Sequence, residues 1–170
     1  MRTPILLVRR TGLSGTTLPL QHAGVIVCGN ALRIDWNEVL PQEKEDEVYL
    51  FGNPPYLGAR KQNKTQKLDL RKAVGDIKGI SPLDYIAGWF VKATKYIKDS
   101  IVQYSFVTTN SINQGEQVSI LWDQLYAESS TIIFVYKPFK WANNAKNNVG
   151  VIVSIIGIAD KYYHKKQKKL

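Results

Sequence analysis

The sequence is poor in the residues that build disulfide frameworks and metal centres. It has one cysteine, Cys28, and two histidines, His22 and His164, among 170 residues. A single cysteine cannot form a disulfide within the chain or a thiolate zinc cluster, and the two histidines are too far apart for a local metal motif. We therefore expect a reducing compartment, no metal site, and Cys28 as a buried core thiol.

Acidic residues are also scarce relative to basic ones. The chain has 14 Asp and Glu residues against 23 Lys and Arg residues, which gives a formal net charge of +9. This balance favours a polyanionic partner such as nucleic acid, although many basic proteins bind none. The apolar runs are too short to span a bilayer, and the N-terminus lacks the apolar stretch of a signal peptide. We therefore predict a cytoplasmic location and no membrane partner.

The hydrophobic pattern predicts a single α/β domain. Hydrophobic residues make up 44% of the chain, which is enough for a globular core. Short apolar segments bounded by Gly, Asn or Pro are predicted strands, at residues 25–28, 48–52, 104–108, 132–136 and 149–158. Because these segments lack clean alternation, we expect a mostly parallel sheet with helices on both faces. A short Asn- and Lys-rich connection joins the last two strands, which predicts an antiparallel last strand.

Two helices are predicted between these strands, over residues 81–100 and 114–128. Ser81 is the expected N-cap of the first, with Pro82 as its first helical residue. The basic run at residues 60–72 is interpreted at this point as a charged surface segment.

Chemistry is concentrated in Asn53-Pro54-Pro55-Tyr56, which directly follows an apolar strand. Ligands of open α/β sheets bind beyond the carboxyl ends of strands, so these residues lie where a functional site is expected. An arbitrary Asn-Pro-Pro is more often a turn that ends a strand. The added tyrosine and the preceding strand favour a functional interpretation.

Asn-Pro-Pro-Tyr after a strand resembles the catalytic motif of DNA methyltransferases that modify the N6 amine of adenine. Four further segments look like the adenine methyltransferase domain of type IIG restriction–modification enzymes, at residues 57–67, 83–90, 108–118 and 139–146. The resemblance implies a truncated Rossmann-like fold, S-adenosyl-L-methionine as cofactor, and double-stranded DNA with a flipped adenine as substrate. It also implies a prokaryotic source.

The motif residues suit this reaction on physical grounds. The adenine amine is a poor nucleophile because its lone pair is delocalised into the ring. The side-chain carbonyl of Asn53 and the backbone carbonyl of Pro54 can accept hydrogen bonds from its two N–H groups, which frees the lone pair. Pro54 and Pro55 fix the backbone direction, and Tyr56 can stack on the flipped base, a contact worth roughly 1–3 kcal/mol.

The resemblance also implies roles for residues outside the motif. Asn30, Ala31 and Leu32 resemble the segment near the adenine of the cofactor, together with Asn53. Phe139 or Trp141 would pack on the other face of the flipped base. The basic residues that follow the motif would contact DNA phosphates, namely Arg60, Lys61, Lys64 and Lys67. The alternatives are an asparagine that ends a strand, aromatic core packing and a solvated charged face.

The front of the sequence departs from the family pattern. Only residues 11–15 imitate the Gly-rich cofactor loop, and no acidic residue precedes them. We therefore divide the chain into an N-terminal segment of uncertain structure (1–23), a partial catalytic domain (24–160) and a basic tail (161–170). The remainder of the parent enzyme would supply the Gly-rich half and a target-recognition domain.

This truncation has a consequence for the sheet. In the family order 3-2-1-4-5-7-6, losing strands 1 and 2 leaves strand 4 (residues 48–52) as a bare edge, which would pair with the N-terminal segment or with another copy. Two other functions stay open. One is a noncatalytic nucleic-acid-binding or interaction module, and the other is a methyltransferase that acts on RNA or on protein glutamine.

Overall fold

The computed structural model describes residues 5–9, 27–42, 47–75, 77–141 and 151–163. Within these ranges one sheet contains five strands, β1 (Ile5–Arg9), β2 (Val48–Gly52), β3 (Gln103–Thr109), β4 (Ser130–Trp141) and β5 (Val151–Asp160). The helices with bounds inside these ranges are α1 (Trp36–Val39), α2 (Lys64–Val74), α3 (Ala87–Tyr96) and α4 (Gln117–Ala127), and residues 161–163 are also helical. Single-turn 3₁₀ helices lie at Ala59–Lys61 and Asn110–Asn113. No helix in these ranges has the length and apolar character needed to cross a membrane.

The strands lie in the order β1-β2-β3-β5-β4. The last four reproduce the predicted order 4-5-7-6, and β5 is antiparallel to both of its neighbours, as expected. Only the β2–β3 pairing is parallel in the described sheet. The parallel part is therefore smaller than predicted.

The N-terminal strand covers the edge of β2 that was predicted to be bare. Ile5–Arg9 pairs antiparallel with β2, with Ile5 opposite Gly52 and Arg9 opposite Val48. Of the two predicted partners for this edge, the N-terminal segment of the same chain is the one observed. Pairing satisfies the backbone groups that an edge strand leaves open.

One face of the sheet is packed against the helices. Leu50, Tyr104 and Ile158 lie side by side across three strands and are all buried. Phe90 of α3 packs its ring 6.0 Å from the ring of Tyr104, and 6.1 Å from the ring of Trp122 on α4. These contacts place α3 and α4 over the same face, so the core lies between the sheet and this helical layer.

The opposite face is open in the described structure. On this face Phe51 of β2 is 44% exposed, and it is paired with Ser105 of β3. Ser105 is paired with Gly157 of β5, and the ring of Phe134 on β4 lies over Gly157. β3 alternates regularly between buried and half-buried positions, which the sequence reading missed. On the Tyr104 face, α3 and α4 provide the helical layer that was predicted.

The strand predicted at residues 25–28 is wrong for the part that the structure describes. Val27 and Cys28 are exposed and lie outside any strand, and residues 25–26 lie outside the described ranges. An apolar run forms a strand only where a neighbour can pair with it, and β1 takes the place beside β2. The expectation of Cys28 as a core thiol is wrong for the same reason.

Helix boundaries also differ from the prediction. The first predicted helix begins at Ala87 instead of after Ser81, because Leu83 closes a turn onto Ile80 and the Asp84 carboxylate accepts from the N–H of Ile86. The second begins at Gln117, after Gly115 with a φ of 62°.

The basic segment at residues 60–72 contains a helix that the sequence reading did not predict. Lys64–Val74 forms α2, and the Asn63 side chain caps it by accepting from the N–H of Gln66. A side chain at Gly88 of α3 would come within 3.3 Å of the side chain of Leu70, so α2 lies close against α3. Only a narrow apolar stripe on α2 is buried, which explains why its sequence looks like a charged surface run.

Candidate functional site

The candidate site lies at the end of the sheet where the two parallel strands finish. Gly52 of β2 lies opposite Phe106 of β3, and the two strands run in the same direction toward this end of the sheet. The segment 53–57 follows β2, and the 3₁₀ helix Asn110–Asn113 follows β3. We call this end of the sheet, formed by the loops after β2 and β3, the rim. It is where the sequence analysis predicted the motif to lie.

Asn53 is available for a ligand. It is exposed, and no described residue forms a hydrogen bond with its side-chain amide. Pro54 next to it is buried, and Tyr56 is half-buried and packs against the core. The loop therefore holds its proline and tyrosine against the protein and leaves the asparagine open.

Asn30 is in the opposite situation. Its side-chain oxygen accepts from the N–H of Leu32 at 3.0 Å, and its Nδ2 donates to Oδ2 of Asp69 at 3.0 Å. Asp69 is buried and also receives Nε and Nη2 of Arg33 at 2.8 and 3.0 Å. The Asn30 side chain thus fixes its own turn and joins it to α2. It also donates to the hydroxyl of Tyr85, whose pKa is raised by burial.

The other two residues of this segment face the protein. Leu32 is buried, Ala31 packs against the core, and the Ala31 carbonyl accepts from Nε1 of Trp36 at 2.9 Å. A surface cavity of about 510 Å³ adjoins the turn and is lined by Leu32, Arg33, Leu68, Asp69 and Lys72. Contact of Asn30, Ala31 and Leu32 with a cofactor stays a prediction.

Phe139 and Trp141 belong to a row of aromatic side chains on β4. Their ring centroids are 6.2 Å apart, and both rings are more than a third exposed. Phe139 pairs with Val153, which pairs with Thr109 at the carboxyl end of β3. Because directly paired residues share a face, Phe139 lies on the open face and at the same end of the sheet as the motif.

The four residues predicted to contact phosphates follow the motif within one short stretch of the sequence. Arg60 and Lys61 lie on the first 3₁₀ helix, whereas Lys64 and Lys67 lie at the start of α2. All four side chains are exposed. No described acidic residue forms an ion pair with any of them.

Sequence reasoning missed two buried residues that hold the end of the motif loop. Asp84, 4% exposed, accepts the N–H of Leu57 at 2.7 Å, and Gln62 donates to the Leu57 carbonyl at 2.9 Å. The only signal in the sequence is a polar residue next to an apolar helical stretch. Its partner lies 27 positions away, so no local pattern could identify it.

Within the described ranges, no three His, Cys, Asp or Glu side chains are grouped closely enough to hold a metal ion. The chemistry that the site can perform with its own residues is hydrogen bonding by amide and carbonyl groups at the rim, and stacking by aromatic rings.

Comparison with known proteins identifies the family. Residues 5–170 match the family described as "MmeI, DNA-methyltransferase domain". The chain is 54% identical over 141 residues to DNA methyltransferase A of Bacillus subtilis (strain 168), a match that covers 83% of this chain and 16% of that protein.

A solved structure shows the same fold. It is that of the type IIL restriction–modification enzyme MmeI in complex with DNA, with a TM-score of 0.73 and 40% sequence identity. The match covers 83% of this chain and 19% of that one, so the chain spans less than a fifth of the length of either relative. The predicted Rossmann-like methyltransferase fold is confirmed. The chain belongs to the MmeI family of DNA-methyltransferase domains.

Proposed function

We propose that this chain is part of an enzyme that transfers a methyl group from S-adenosyl-L-methionine to the N6 amine of adenine in DNA. The observation that carries the proposal is the exposed Asn53 amide, which has no partner among the described residues. The Asn30 amide, by contrast, is bonded at both ends within the protein.

The side-chain carbonyl of Asn53 and the backbone carbonyl of Pro54 would accept hydrogen bonds from the two N–H groups of the amine. This draws electron density toward the nitrogen and orients its lone pair away from the acceptors. The cofactor supplies a sulfonium-bound methyl group when it is bound. Asn53, Ala31 and Leu32 would contact it, whereas Asn30 would act through its backbone, since both ends of its amide are already bonded.

Tyr56 and the β4 aromatic residues would hold the flipped base. The Tyr56 ring is supported from behind by the core, which reduces the entropy lost when a base stacks on it. Phe139, with Trp141 beside it, stands on the strand that passes the same end of the sheet.

The basic residues after the motif would bind phosphates of double-stranded DNA. Lys64 and Lys67 lie near the N-terminus of α2, where the helix dipole disfavours positive charge by about 0.3–1 kcal/mol. No acidic residue in that first turn offsets the cost. Cations placed against the dipole and without partners fit a role in binding an external anion.

The remainder of the parent enzyme would complete the site. The relatives are more than five times as long as the matched segment, and the open face of the sheet offers apolar side chains on which additional helices can pack. The Gly-rich cofactor loop and the target-recognition domain would come from that remainder. A cytoplasmic location also stays a prediction.

The first prediction tests Asn53 in a complete enzyme. The 141 matched residues would replace the corresponding segment of the Bacillus subtilis relative. In this chimaera, Asn53→Ala is expected to lower the rate of methyl transfer to adenine by about 100-fold or more, since one preorganised polar contact to the reacting group is lost. DNA affinity should be unchanged, because phosphate contacts set it.

The matched control is Asn63→Ala, which removes the cap of α2 but no group at the reacting atoms. It should methylate at the rate of the unsubstituted chimaera. Equal activity of the Asn53 variant would refute the assignment, and methylated cytosine or RNA as the product would refute adenine in DNA.

A noncatalytic nucleic-acid-binding or interaction module is the second candidate, favoured by the sequence of residues 11–15, which only imitates a Gly-rich cofactor loop. The isolated 170-residue chain is expected to bind duplex DNA without transferring methyl groups, because it supplies one wall of the cofactor site. A DNA-binding chimaera that also transfers none would favour this candidate.

A further inference from the structure

The residue directly after the catalytic motif is held at both of its backbone polar groups. The N–H of Leu57 donates to Oδ1 of Asp84 at 2.7 Å. Its carbonyl accepts from Nε2 of Gln62 at 2.9 Å and from the N–H of Tyr85 at 3.0 Å. Leu57 therefore has little freedom to rotate, and the direction of the chain at Tyr56 is set by residues 5 to 28 positions further along the sequence.

Asp84 is the centre of this arrangement. It is 4% exposed, and its Oδ1 also accepts from the N–H of Ile86 at 3.1 Å. No described basic side chain pairs with it. A buried carboxylate without a cation is costly to keep, and burial raises the pKa of Asp84 while backbone N–H groups oppose that shift.

The same residue also joins the two rim loops. The backbone N–H of Asp84 donates to Oε1 of Gln117 at 2.7 Å, and Nε2 of Gln117 donates to the carbonyl of Ser111 at 3.4 Å. Ser111 lies on the 3₁₀ helix that follows β3. Hydrogen bonds thus run from the loop after β2, through Asp84, to the loop after β3.

A helix cap alone would need only the contact with Ile86. The shorter bond, to Leu57, contributes nothing to α3 and reaches the loop that carries Asn53. We propose that Asp84 is a positioning residue for methyl transfer, which fixes Leu57 and thereby the placement of Asn53 and Pro54 against the reacting amine. This inference rests on the proposed function.

The test separates positioning from helix capping. In the full 170-residue chain, Asp84→Ala is expected to speed hydrogen exchange of the Leu57 amide by about tenfold or more, relative to amides inside α3, because the hydrogen bond from this amide to a buried side-chain oxygen is lost. Asp84→Asn keeps a side-chain oxygen at the same place and should restore most of the protection. Gln62→Ala, which leaves the Ile86 contact intact, should loosen Leu57 without changing exchange within α3.

The catalytic readout uses the chimaera with the Bacillus subtilis relative. Asp84→Ala is expected to lower kcat by about 100-fold, the effect of misplacing a reacting group by about 1 Å, while DNA affinity stays unchanged. Asp84→Asn should recover most of kcat.

Two results would overturn the inference. In one, exchange at Leu57 rises only in step with exchange throughout α3, which is the behaviour of a cap. In the other, the chimaera depends on Asn53 but its kcat does not respond to Asp84→Ala. A folded chimaera that never methylates adenine would instead count against the proposed function, and the exchange measurement would still decide whether Asp84 holds the loop.

Discussion

The two faces of the sheet differ in how completely this chain covers them. On the helical side, Leu50, Tyr104 and Ile158 are at most 1% exposed beneath α3 and α4. On the other side, Phe51 and Phe134 are both about two-fifths exposed. The described residues therefore complete one face of the sheet, here called the finished face, and leave large apolar side chains exposed on the other.

The difference also separates the motif loop from the aromatic side chains of β4. The loop from Asn53 to Leu57 is anchored by Asp84 and Gln62, which belong to the finished face. The aromatic row that ends in Phe139 and Trp141 stands on the open side. The motif loop is thus held by contacts within the described residues, whereas the aromatic side chains of β4 stay more than a third exposed.

The largest expected effect compares a phenylalanine from each face. Phe90 is fully buried, and its ring lies 5.4 Å from that of Phe106. Phe90→Ala should lower the free energy of unfolding by about 3–5 kcal/mol, through lost burial and the cavity that remains. Phe51→Ala, on the open face, should cost about 1 kcal/mol or less. Urea denaturation followed by circular dichroism measures both.

Equal losses for the two variants would contradict the contrast between the faces. If the Phe90→Ala chain does not fold, Phe90→Leu gives a smaller change in the same direction, and Phe51→Leu is its matched control.

The sequence predicted the elements whose signals are local. Residues 48–52 form the expected strand because a compact apolar run ends at Asn-Pro. The place of Asn53 at the rim follows from that strand. By contrast, α2 has only a few buried positions among charged ones, so its helical period was hidden.

The rest depended on contacts between distant segments. Val27 and Cys28 have strand-like composition, but β1 takes the edge that such a strand would need. Likewise, Asp84 contacts Leu57 only after α3 and the motif loop have packed together. No periodicity in the sequence encodes either result.

A glycine on the open face provides a smaller and sharper comparison. A Cβ added at Gly157 would lie 2.1 Å from Cε1 of Phe134. Gly157→Ala should therefore destabilise the fold by about 1–3 kcal/mol, as the ring is pushed from its place. In the Phe134→Leu background the same change should cost less, which a double-mutant cycle of unfolding free energies would detect.

Gly58→Ala is the control, because nothing lies within 4 Å of its added Cβ. It is expected to change stability by less than about 0.5 kcal/mol. Strict additivity of Gly157→Ala and Phe134→Leu would show that the open face does not hold the Phe134 ring in place.

The smallest expected effect is the pH dependence that Asp84 brings to the finished face. Burial raises its folded-state pKa above the ordinary value of 3.8. Both states are protonated at low pH, so the charged form costs nothing there. As pH rises through 3.8 and then through the folded pKa, the unfolded chain releases its proton first, and the wild type loses stability relative to Asp84→Asn. Above that window the difference in stability between the two proteins should be constant.

Unfolding free energies of the wild type and Asp84→Asn at a series of pH values measure this difference. Asp35→Asn, at the exposed cap of α1, is the control for loss of one carboxylate. A wild-type curve that instead gains on the Asp84→Asn curve across this window would mean that the backbone N–H groups of Leu57 and Ile86 outweigh the cost of burying the charge.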